Sequence, residues 1–163
     1  MNIQANLVSD TDYSDTFKGI ISSDKNLKLE IIVQHFFTFS PVWIKFLFRL
    51  RDFLVRPFGL KTAKDDETES MEKGINLSKG STLGLFEVID GTDDEVLFYY
   101  SDSHLVAWFF ILVIRQINYS EVEFTTLVHY NNLLGRIYFF FIKPFHKLIV
   151  KSQLKNLAGR FGA

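Results

Sequence analysis

The chain has no cysteine, so its histidines, at positions 35, 104, 129 and 146, are the side chains whose ordinary titration falls near neutral pH. They stand far apart and match none of the spaced ligand sets of zinc sites. A metal would require them to converge in space. The chain also lacks G-x-S-x-G, a phosphate loop, G-x-G-x-x-G and H-E-x-x-H. Two local constellations remain. Asp102-Ser103-His104 is a tight turn opening a strand, where a carboxylate could orient a general base. The commoner arrangement is a turn aspartate followed by an uninvolved histidine. The segment from Tyr130 to Tyr138 joins the last strand to the last helix, and Asn131 or Asn132 there is suited to cap first-turn amides. Arg136 and Tyr138, turned inward, would hold a carboxylate or carbonyl at a pocket mouth.

The elements that must position these groups follow from periodicity. Tyr13 to Ile21 reads as a first strand, and Leu27 to Phe37 as a short helix. Pro41 restarts a second, strongly apolar helix that ends near Pro57. Residues 61–81 form a polar loop in which Asp65, Asp66, Glu67, Glu69 and Glu72 cluster. Four β-rich runs follow, over Thr82 to Ile89, Glu95 to Tyr100, His104 to Arg115 and Glu121 to Tyr130. Their short connections imply an antiparallel meander. Asn132 to Leu157 closes the chain as one long helix, with Lys143, Lys147, Lys151 and Lys155 in steps of four. That spacing predicts an exposed, dispensable stripe. Pro144 predicts a kink.

Composition bounds the rest. With 163 residues, 47% of them apolar, one domain over 1–163 can bury a full core. The net charge of −1 gives no long-range attraction to nucleic acid. No apolar run approaches the ~20 residues of a spanning helix. Met1 to Asp15 lacks the basic start and apolar stretch of a secretory signal. With the absence of cysteine, this reads as a cytoplasmic protein. The class is α+β: an antiparallel sheet with two N-terminal helices and a long C-terminal one.

Taken together, Leu50-Arg51-Asp52 with Phe58-Gly59-Leu60-Lys61, Ser101-Asp102-Ser103-His104-Leu105, and above all Asn132, Gly135, Arg136 and Tyr138 with Pro144-Phe145-His146 resemble a bacterial family. It is the domain-of-unknown-function 2867 family, which looks related to the START-like superfamily (SRPBCC, polyketide cyclases and birch-pollen-allergen-like proteins). The resemblance runs from about residue 12 to residue 156. It implies a helix-grip fold, in which a curved sheet wraps around the C-terminal helix and encloses a cavity for lipids, polyketides or other apolar molecules. Members also occur fused behind a reductase-like nucleotide-binding domain, which implies an accessory role as an alternative. This chain departs from the family pattern after Asp102-Ser103-His104-Leu105, where Val106, Trp108 and Phe110 stand in place of polar side chains.

The expected function is binding of a small apolar ligand between sheet and helix, with no cofactor and no metal. A cyclase- or hydratase-type enzyme using the same cavity, or a protein-interaction module, is the alternative. The residues expected to line the cavity are Tyr99, His104, Trp108, Tyr130, Arg136 and Tyr138. Eighteen phenylalanines fit a cavity of this kind, and fit a solidly packed core as well. Residues 36–58, rich in aromatic and basic side chains, have the composition of a lipid-binding face, but a core helix with a solvated stripe is the favoured reading. One strand is apolar on both faces: Val106, Trp108, Phe110 and Leu112 against Leu105, Ala107, Phe109, Ile111 and Val113. Pairing Arg115 with Glu121 turns the second set outward, whereas the family pattern turns Trp108 and Phe110 outward. Either way the outward row calls for a covering layer, from a homodimer or from the N-terminal helices.

Overall fold

The computed structural model describes residues 11–22, 27–38, 49 and 75–162. Its strands are β1 (Tyr13–Ser22), β2 (Thr82–Leu83), β3 (Phe86–Gly91), β4 (Glu95–Ser101), β5 (Leu105–Arg115) and β6 (Tyr119–Tyr130). Its helices are α1 (Leu29–Thr38) and α2 (Leu133–Phe161). The six strands form one antiparallel, curved sheet in the order β1-β6-β5-β4-β3-β2. The expected meander is therefore present, with β1 added at the β6 edge. The second helix expected over 41–57 and the acidic run 65–72 lie outside the described residues.

Glycine divides what sequence periodicity reads as one strand. Gly84 takes a positive φ of 59° at the first position of a two-residue turn, where a II′ hairpin places glycine. The run from Thr82 to Ile89 is thus a hairpin, β2 against β3, with Leu83 opposite Phe86. A bulge between Val88 and Asp90 then shifts the register against β4.

One face of the sheet carries the main core. From α1, Leu29, Ile32, Val33 and Phe36 pack on Val88, Phe98, Ile111, Val122 and Phe124. Phe36 lies parallel to Phe124 with ring centroids 4.7 Å apart. The segment 36–58 read as core lies, beyond Thr38, almost wholly outside the described residues. From the second half of α2, Val150, Leu154 and Leu157 complete the cluster. The helix lies against β1 above all, with lesser contact to β6 and α1. At Gly19 of β1 the helix comes within contact distance, since a Cβ there would stand 3.4 Å from Leu154.

The strand register corrects the sequence expectation by one residue. Arg115 pairs with Ser120, not Glu121, and Leu105 pairs with Tyr130. A shift of one exchanges the faces of a strand. Leu105, Ala107, Phe109, Ile111 and Val113 consequently face the helices, and Val106, Trp108, Phe110 and Leu112 face away. On that outer face Leu97, Phe110 and Leu127 form a second cluster with Ile89 and Trp108. These three are at most 8% exposed within the single chain, so the centre of the row is covered without a second copy. α1 sits on the opposite face and does not cover it.

Candidate functional site

The site begins where α2 starts. Asn132 caps the helix by accepting from the Gly135 amide at 3.1 Å, and its side-chain amide donates to the Ser103 carbonyl at 3.0 Å. Asn131 donates its backbone amide to the His104 carbonyl and its side-chain amide to the Asp102 carbonyl, both at 3.0 Å. The first turn of α2 is thereby fastened to the 102–104 turn. Gly135 makes the approach feasible, because a Cβ there would stand 1.9 Å from the His104 carbonyl oxygen.

This fastening brings Tyr138 edge-on to His104, with centroids 4.8 Å apart and planes at 89°. His104 is buried, and its Nδ1 lies 3.8 Å from the Asp102 carboxylate, which also accepts from the Tyr100 hydroxyl at 3.2 Å. Two turns along the helix, His146 Nε2 sits 2.9 Å from the Thr126 hydroxyl and 3.7 Å from the Asp15 carboxylate. Tyr13 donates its hydroxyl to the same carboxylate. Burial acts to raise the Asp15 pKa, but interaction with His146 and the hydrogen bond from Tyr13 outweigh it and hold the group below the ordinary carboxylate value. Tyr13 is pushed up, first by burial and then by its bond to Asp15.

Between these two polar groups runs an aromatic strip. Phe109 packs against both the main core and the smaller cluster of Leu105, Ala107, Val128 and Phe139. Its ring stands 5.1 Å from Phe86 and 6.3 Å from His146, and Phe86 stands 6.1 Å from Tyr100. Phe37 closes the row at 5.8 Å from Phe86. Although they lie on the core face, Phe37, Phe86, Tyr100 and Phe109 all keep part of their surface exposed. So do Tyr138, Ile142, Phe145 and Ile149, whose spacing of four, three and four places them along one edge of α2. The helix lies against β1 above all, so this edge of α2 and the aromatic strip over β3 to β5 belong to the same inner face of the sheet.

Of the six residues expected to line a cavity, His104 and Tyr138 meet at the start of α2. Tyr130 stands beside them in the Phe139 cluster, its pKa raised by burial and by the Asp12 charge against the opposing effect of Arg136. Arg136 is exposed on the first helical turn. Tyr99 and Trp108 pair with each other on the opposite face, their rings 6.0 Å apart, and cannot share a pocket with the rest. Their neighbours, Tyr100 and Phe109, are the ones on the inner face. Sequence reading missed these two for the same reason it misplaced the register, and missed the Asp15–His146 pair because 131 positions separate its members.

A recess of about 620 Å3, open to solvent, lies between α1 and the end of α2 and is lined by His35, Ser152, Lys155, Asn156, Gly159 and Arg160. His35 sits 2.7 Å from the Asn156 side-chain oxygen, and burial lowers its pKa, with Asn156 opposing and the Arg160 charge adding. Among the described residues no three His, Asp or Glu side chains gather as a metal site, and no helix is long and apolar enough to cross a membrane.

A family model described as "Protein of unknown function (DUF2867)" matches residues 7–153. No curated protein matches the chain.

Proposed function

The chain belongs to the DUF2867 family, and we propose that it binds a small apolar, aromatic-compatible molecule between α2 and the inner face of β3 to β5, in a START-like helix-grip arrangement. One observation carries this reading: Phe37 of α1 and Phe86, Tyr100 and Phe109 of the sheet stay partly exposed although their rings pack in a row beside the main core. Such a strip exposes apolar surface to water that a ligand would cover, and each fully covered side chain of this size is worth on the order of 2 kcal/mol. Ligand sites combine apolar walls with a few polar groups at defined places. Here the His104–Tyr138 contact and the His146–Thr126–Asp15 group stand at the two ends. The order of elements, with an antiparallel sheet followed by a long C-terminal helix, supports the START-like arrangement.

Native mass spectrometry of the purified chain, followed by denaturing extraction, tests the reading. The expected result is an excess mass that leaves on denaturation, or uptake of an added fatty acid by the ligand-free chain. A bare chain that takes up neither a fatty acid nor a polycyclic aromatic probe would overturn it.

One observation favours a catalytic variant of the same reading. His146 lies between a hydroxyl and a carboxylate and its ring faces Phe109, an arrangement in which an imidazole can pass a proton to or from a bound molecule. Arg136, expected to join such chemistry, is exposed.

A further inference from the structure

Residues 131–163 contain six cationic side chains, Arg136, Lys143, Lys147, Lys151, Lys155 and Arg160, and no aspartate or glutamate. α2 thus has no carboxylate on any of its faces. Its buried side holds the sheet, so the composition of the outward side decides what else it meets. There Leu133 is 70% exposed, Ile137 48%, Phe140 73%, Phe141 58% and Leu148 56%. Their helical positions fall on one side, over a length of roughly 22 Å. Phe140 and Phe141 touch edge to face, with centroids 5.5 Å apart, and form the most prominent part of the stripe.

The lysines run along one border of this stripe. Lys143 and Lys147 place their ammonium groups over the Tyr13 ring at 4.6 and 5.9 Å, and Lys151 places its own over Phe17 at 5.3 Å. Their stems lie on apolar surface while the charged ends stay at the border, the posture of side chains that reach from an apolar layer to a charged one. Scattered exposed apolar residues are ordinary on a soluble protein; a continuous stripe of five, bordered by one sign of charge, is not.

We propose that the outward face of α2 docks on an anionic lipid surface, with Phe140 and Phe141 entering the boundary between headgroups and acyl chains and the lysine border meeting the phosphates. The charge pattern selects this occupant. A lipid surface accepts undirected apolar insertion and rewards cations at the headgroup level. The stripe's bare phenylalanine rings offer a protein partner no directed hydrogen bond, and the chain as a whole, at −1, is not drawn to nucleic acid. This face is distinct from the edge of α2 that carries Tyr138, Ile142, Phe145 and Ile149, and its residues are not those of the segment 36–58.

The test is flotation of the full chain with vesicles rich in phosphatidylglycerol, set against pure phosphatidylcholine vesicles. The expected result is retention on the anionic vesicles about tenfold above the neutral ones, weakened by added salt. Phe140→Ser with Phe141→Ser should remove it, and Lys147→Gln with Lys151→Gln should reduce it. All four positions are at the surface or its border, so circular dichroism should report an unchanged fold. Absence from anionic vesicles at low salt would overturn the proposal. Flotation of the double phenylalanine variant like the parent chain would also overturn it. So would a parent chain that dimerises through this stripe and stays off vesicles.

Discussion

Gly135 and Gly159 lie on the same helix and predict opposite outcomes. At Gly135 a methyl group would collide with the His104 carbonyl, and neither backbone can yield without breaking the cap that ties α2 to the 102–104 turn. Gly135→Ala should therefore cost about 3 kcal/mol or more in denaturant unfolding. At Gly159 nothing lies within 4 Å, and Gly159→Ala should add about 0.5–1 kcal/mol through helix propensity alone. The acid response is the other prediction at this scale. A carboxylate whose folded pKa is depressed gives stability that is complete above its ordinary value, near 3.8, and is lost as pH falls through the lower folded value. His35, also depressed, begins to withdraw stability earlier, as pH falls below its ordinary value near 6.5. Melting temperature should thus fall in two stages on acidification, and Asp15→Asn should flatten the lower one while His35→Gln flattens the upper. Single-residue reading of the sequence found the Asn cap and the Asp102–His104 turn, because both are local. It could not find Asp15 with His146, which only the packing of α2 on β1 brings together.

At the scale of elements, the sheet and helices were legible because their signals are periodic and short-range. β1, α1, β4, β5, β6 and α2 fall where alternation and helical spacing put them, within a few residues at each end. The β2–β3 hairpin escaped because a single glycine, Gly84, carries it. Register escaped because it is set by the turn after Arg115, and a strand as apolar as β5 on both faces gives no internal preference between the two choices. The lysine stripe is a partial correction. Lys151 and Lys155 are exposed as expected, whereas Lys143 and Lys147 are partly covered against Tyr13. Changing all four lysines to glutamine should leave the chain folded, at a cost of about 1–2 kcal/mol from the lost cation–ring contacts, measured by urea unfolding.

For the molecule as a whole, class and element order were readable, while the placement of open space was not. Periodicity says which side chains face inward; it does not say that α2 lies over β1 above all and that Phe37, Phe86, Tyr100 and Phe109 keep part of their surface exposed. The central claim is that an apolar ligand covers these rings. The most direct measurement is titration of a fluorescent apolar probe into three chains: the parent, Phe109→Leu and Trp108→Leu. Phe109 and Trp108 are adjacent, similar in size and on opposite faces, so the comparison isolates the face. Probe affinity should fall about tenfold in Phe109→Leu, the weight of one lost aromatic contact of about 1.4 kcal/mol, and should be unchanged in Trp108→Leu. Equal losses in both, or a loss confined to Trp108→Leu, would contradict the account.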